Sequence, residues 1–119
     1  MDTVKHTPGD PTGILQERSR LERIQKYIGE NLSTDLSAAV VSEKFELSVS
    51  SLLHVFKKHE QQSYRRYVEE ARMNRDFDLI IRESKRVKEA MNATGYKSRS
   101  AFYRAFKKTF KYSPRHFQK

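Results

Sequence analysis

Residues 98–110 read "SRSAFYRAFKKTF", and fifty positions earlier residues 48–60 read "SVSSLLHVFKKHE". At that offset Ser48 matches Ser98, Ser50 matches Ser100, the run Phe56-Lys57-Lys58 matches Phe106-Lys107-Lys108, and Ser63 matches Ser113. Each stretch opens on a serine suited to cap a helix and then places apolar residues at helical spacing. These are Leu52, Val55 and Phe56 in the first, and Ala101, Phe102, Ala105 and Phe106 in the second. Agreement at cap, core and exit marks an internal duplication of one helical unit.

Working outward, each copy is preceded by a shorter amphipathic segment. Ser37 is placed to cap a helix with Ala38, Val41 and Phe45 on its inner face, and Val87, Ala90, Met91 and Thr94 form the counterpart ahead of the turn "GYK". Two short helices joined by a turn of three or four residues make a helix-turn-helix. Between the copies, Ser63 opens a longer helix through about Arg82, with Tyr64, Tyr67, Val68 and Ala71 on one side and Phe77, Ile80 and Ile81 further along, uninterrupted by proline or glycine. Ahead of the first copy, Leu21, Ile24, Ile28 and Leu32, with Tyr27 beside them, predict a helix over 17–31 that "LSTD" breaks. Ser113-Pro114 signals a last helical turn ending at Phe117. The expected architecture is all-α with about seven helices. It comprises a flexible arm over 1–16, a first helix-turn-helix subdomain over 17–62, a linker helix over 63–82 and a second helix-turn-helix subdomain over 83–119.

At 119 residues the chain suits one domain, or two very small ones sharing a long element. The absence of cysteine excludes disulfides, a thiol nucleophile and zinc-thiolate sites. No stretch approaches the roughly 18 apolar residues of a membrane span, which points to a soluble, cytoplasmic protein. Met1 followed by the arm "HTPGDPTG" suits a stand-alone protein, and the same stretch suits an interdomain linker. The net charge of +9 is unevenly distributed: residues 82–119 hold twelve Lys or Arg against two acids, while residues 1–81 hold twelve against thirteen. The excess therefore sits with the second copy, interleaved with its apolar period, and points to a polyanion.

In a helix-turn-helix the second helix enters the major groove, so the face opposite the buried residues carries the readout. In the second copy that face is Arg99, Ser100, Tyr103, Arg104 and Lys107; in the first it is Val49, Ser50, Leu53, His54 and Lys57. Arginine can donate two hydrogen bonds to guanine O6 and N7, serine or tyrosine can reach a base or a phosphate, and lysine suits a phosphate. The first copy has no arginine on this face. A linker of about 20 residues at ~1.5 Å each spans about 30 Å, close to the ~34 Å between successive major-groove faces. One monomer then suffices to present helices 48–59 and 98–110 to adjacent major grooves of one duplex.

The segment "AMNATGYKSRSAFYRAFKKTFKYSPRHF" resembles the C-terminal signature of the AraC/XylS family of bacterial transcription regulators, and the first repeat and "YVEEARM" match the same pattern, covering about residues 17–118. The resemblance implies two helix-turn-helix subdomains bridged by a linker helix and regulation of transcription, usually activation, with double-stranded DNA as partner and RNA polymerase as a candidate one. It places Ser50, Leu53 and His54 of the first copy, and Arg99, Ser100, Tyr103 and Arg104 of the second, at base-contacting positions. Four residues depart from the pattern. Glu46 and Lys111 stand where glycine is common, Met91 replaces a small alanine, and Asp76 sits where the linker has alanine.

Enzyme activity fares badly as a rival. His6, His54, His59 and His116 are scattered, no glycine-rich phosphate loop exists, and no cofactor is expected. His54 is read either as a solvated residue or as a groove contact. RNA binding lacks an exposed stacking platform, and membrane-surface binding would need aromatics that the core requires. A partner-binding module that has lost specificity in its first half remains a third alternative.

Overall fold

The computed structural model describes residues 11–118, with side chains from Leu15 onward. They form seven helices and no strand: α1 Pro11–Glu30, α2 Ala38–Lys44, α3 Val49–Glu60, α4 Tyr64–Phe77, α5 Val87–Thr94, α6 Arg99–Phe110 and α7 Pro114–Phe117. Serines start four of them as the sequence suggests: Ser37, Ser48, Ser63 and Ser98 each accept from the backbone N–H three residues on. At α5 the cap works in reverse, with Glu89 Oε1 accepting from the Arg86 N–H at 2.9 Å. The duplication extends to the helix ends. α3 and α6 both stop on a left-handed residue, Gln61 and Lys111, whose N–H returns to the carbonyl of Lys57 and Lys107 respectively.

Two boundaries differ from expectation. Residues 1–10 of the expected arm lie outside the described residues, but 11–16 are the opening turns of α1 and not coil. Pro11 accounts for the start, because at the first helical position its fixed φ is already helical and its missing N–H has no partner to lose. The linker helix also changes pitch. After Phe77 it continues as a π-helical turn, Asp78–Arg82, closed by the Glu83 N–H on the Asp78 carbonyl. Leu79 and Ile80, adjacent in sequence, are both buried in the second core.

Each half has its own core. Leu21, Ile24, Ile28, Val41, Leu52, Phe56, Tyr64 and Val68 build the first; Met73, Leu79, Ile80, Ala90, Met91, Phe102, Ala105 and Phe106 build the second, with Phe77, Phe110 and Phe117 packed against it. α4 contributes Tyr64 and Val68 to one and Met73 to the other, so a single rod carries both halves. The halves also touch directly. Arg72 of α4 donates to the carbonyls of Leu32 and Thr34 at 3.0 and 2.9 Å. A Cβ on Gly95 would come within 3.1 Å of the Leu32 oxygen, and φ +85 there independently favours glycine.

The turn between α2 and α3 carries a cost that the one between α5 and α6 avoids. Both close helix ends with a six-to-one bond, Leu47 N–H to Ser42 O and Tyr96 N–H to Met91 O. The left-handed position is Gly95 in the second and Glu46, at φ 59, in the first. Relieving a non-glycine there gains about 1–2 kcal/mol, partly offset by about 0.4–1 kcal/mol of unfolded-chain entropy. Glu46→Gly is therefore expected to stabilise the protein by about 0.5–1 kcal/mol, measured by urea denaturation; a loss of stability would contradict this account.

Candidate nucleic-acid interface

The two repeated helices, α3 and α6, are positioned alike. Leu52, Val55 and Phe56 anchor α3, and Phe102, Ala105 and Phe106 anchor α6, all buried. The opposite faces are solvent-exposed over every residue the sequence singles out: Ser50, Leu53, His54 and Lys57 on α3, and Arg99, Ser100, Tyr103, Arg104 and Lys107 on α6. The chemistry of the faces differs as their sequences do. Arg99, Arg104 and Lys107 make no ion pair among the described residues, so three cations stand ready for an anion. On α3, Leu53 is 43% exposed, a large apolar side chain presented to solvent where α6 has Tyr103. Lys57 is the one fixed cation of the four residues on that face.

Sequence inspection missed three ties, because each joins residues far apart in the chain. Glu17 of α1 accepts from Lys58 Nζ at 3.1 Å and bonds His59 Nε2 at 2.7 Å, and the His59 side chain is only 8% exposed. These bonds hold the Glu17 carboxyl below the usual carboxylate range. Lys108 of α6 lies 3.7 Å from Glu69 of α4. Third, Thr94 Oγ lies 2.8 and 3.0 Å from the carboxylate oxygens of fully buried Asp76, fastening α5 to the linker. Burial pushes the Asp76 carboxyl up to about 7, against the opposing effects of the Thr94 bond and Arg72. Tyr64, whose hydroxyl donates to the Leu36 carbonyl at 2.7 Å, is likewise pushed up to about 12 by burial.

Between the two helix-turn-helix halves, or heads, lies a cleft lined by Leu36, Ala38, Leu53, Tyr64, Val68 and Tyr96, with Arg65, Glu69, Arg72 and Lys97 among its polar groups. A second groove runs between α1 and α3, lined by Gln16, Glu17, Arg20, Leu47, Ser50, Ser51, His54 and Val55. Among the described residues no group of three or more His, Cys, Asp or Glu is placed to hold a metal ion, and no helix is long and apolar enough to cross a membrane.

A duplicated helix-turn-helix with this linker has relatives among known proteins. A family profile described as "Helix-turn-helix domain" matches residues 41–119, and solved AraC-type domains share the two-headed fold. The chain belongs to the AraC-type helix-turn-helix family. Its members are DNA-binding transcription regulators. The chain is 28% identical over 102 residues to the Msm operon regulatory protein of Streptococcus mutans, covering 86% of this chain and 37% of that protein. It is 26% identical over 119 residues to the raffinose operon transcriptional regulatory protein of Pediococcus pentosaceus, covering 99% of this chain and 43% of the relative. The AraC-type chain thus spans about two fifths of the length of these relatives. In structure it is similar to the C-terminal domain of AraT, a response regulator from Geobacillus stearothermophilus, with a TM-score of 0.78 at 25% identity over 83% of each chain.

Proposed function

We propose that this AraC-type chain is a sequence-specific double-stranded DNA-binding transcription regulator, acting in the cytoplasm as an activator. A monomer reads adjacent major grooves with α3 and α6, and RNA polymerase is the further partner. The observation that carries the proposal is the pair of exposed recognition faces held on one rod by two separate cores. The named operon regulators and the concentration of positive charge in the second head support it.

The heads work unequally. Arg99 and Arg104 supply bidentate base contacts, and Lys107 a phosphate contact. The first head adds register through Ser50, apolar contact with a thymine methyl through Leu53, and a groove contact through His54. Tethering on the same rod lets so weak a contact count, because it acts at high effective concentration. Sites selected from a random duplex pool are expected to show a sharp half beside a tolerant one, and sedimentation of the complex to show one protein per site. On the selected site, Arg99→Ala or Arg104→Ala should each cost about 1–3 kcal/mol and relax one base position. Lys107→Ala should weaken all sequences alike and flatten the salt slope by about one unit. Replacing Ser50, Leu53 and His54 together by alanine should cost less than replacing both arginines. Dimers on single sites, two equally sharp halves, or a larger loss from the triple replacement would overturn the scheme.

A further inference from the structure

The first recognition helix lacks arginine, but the helix packed along its flank does not. Glu17, early in α1, meets Lys58 and His59 at the end of α3, and Arg20, one turn later in α1, shares a groove with Leu47, Ser50, Ser51 and His54 nearer the start of α3. α1 and α3 therefore run in opposite directions, side by side. Arg20, Ser50 and His54 are all exposed and line one groove, so Arg20 borders the same face that would enter the major groove.

The charges around the groove favour an anion. Its one acid is Glu17, already engaged by Lys58 and His59. Gln16, Leu47, Ser50, Ser51 and Val55 carry no charge, and Arg20 makes no ion pair among the described residues. A helix lying in the major groove is bordered on each side by a sugar-phosphate strand, and phosphate contacts set its register. With Ser50 and His54 turned toward the bases, the strand on that side would pass over the α1–α3 groove.

We propose that Arg20, with Gln16 beside it, is a DNA phosphate contact, so that the first head takes from its scaffold helix the arginine that its recognition helix lacks. This rests on the DNA-binding role proposed above, and it adds a contacting element, α1, outside the helix-turn-helix itself.

The test is a salt titration of binding to the selected duplex with the whole chain and three variants, each first shown by circular dichroism to melt like the wild type. Arg20→Ala is expected to lower affinity several-fold and to reduce the slope of log K against log salt by about one unit, as for one lost phosphate contact. Arg20→Lys, which keeps the charge, should retain the wild-type slope. Arg18→Ala makes the same change in net charge at an exposed α1 position that does not line the groove, and should leave affinity within twofold and the slope unchanged. In ethylation interference, modification of phosphates beside the tolerant half-site should impede the wild type and lose that effect in Arg20→Ala. If Arg20→Ala is indistinguishable from Arg18→Ala while the wild type binds, the contact is refuted and the DNA-binding proposal stands. If the wild type shows no preference for any duplex, both fall.

Discussion

Phe106→Ala is expected to cost about 3–5 kcal/mol of stability, the range for truncating a fully buried aromatic, and to do so in the second half of the molecule first. Phe106 is wholly buried, with ring centroids 4.7 Å from Phe110, 5.9 Å from Phe102, 6.2 Å from Phe77 and 6.3 Å from Phe117. Those rings come from α4, α6 and α7, and packed helices close only partly over the lost volume. A loss of this size is a large share of the roughly 5–15 kcal/mol that holds a small domain together. Because the buried residues form two clusters, amides of α6 should lose hydrogen-exchange protection well before those of α3. Phe56→Ala, at the matching position of the first core, should reverse the order. Equal loss in both halves from either variant would mean that the linker makes one cooperative unit of the two.

Raising the pH from 5 to 8 is expected to destabilise the protein by about 2–4 kcal/mol through Asp76 alone. The direction follows from proton binding. With a folded value of about 7 against an ordinary carboxylate value near 3.8, the folded state keeps a proton that the unfolded state has released. Stability from this group is complete below the lower value and is lost as pH rises through the upper one. The bonding supports a neutral acid independently. Thr94 has one hydroxyl hydrogen, yet its oxygen lies within 3.0 Å of both Asp76 oxygens and of the Ala90 carbonyl. If Asp76 carries a proton and donates it to Thr94, the threonine is free to donate to Ala90 and no acceptor competes. Arg72 is the charged neighbour that favours ionisation, and it is committed to the carbonyls of Leu32 and Thr34. Glu17, whose value is lowered, contributes with the opposite sign at more acidic pH, outside this window. Asp76→Asn should flatten the profile between pH 5 and 8 and raise the urea midpoint at pH 8. Parallel profiles for variant and wild type would show that the carboxyl is ionised throughout.

Much of the fold was legible because its signals are local. A serine cap acts on an N–H three residues away, and an amphipathic face repeats every three or four, so the starts of α2, α3, α4 and α6 could be read directly. The same spacing separated the anchored from the exposed side of α3 and α6, which is why the exposure of Arg99, Arg104 and Leu53 agrees with the sequence pattern. Asp76 was legible only as an oddity. Its burial, and its partner eighteen residues on, were not.

By itself, then, the sequence determined the repeated unit, its caps, which residues anchor each of its two long helices and which third of the chain carries the charge, since all of these depend on neighbours within a turn or two. Tertiary structure decided the rest. It turned Glu17 and His59, 42 residues apart, into a bond between α1 and α3, joined Arg72 to a turn some forty residues earlier, and brought Arg20 beside Ser50 and His54. The physical reason is that a helix propensity is settled along the chain, whereas the partner of a side chain is settled by which helices pack. That choice is made by the whole core at once.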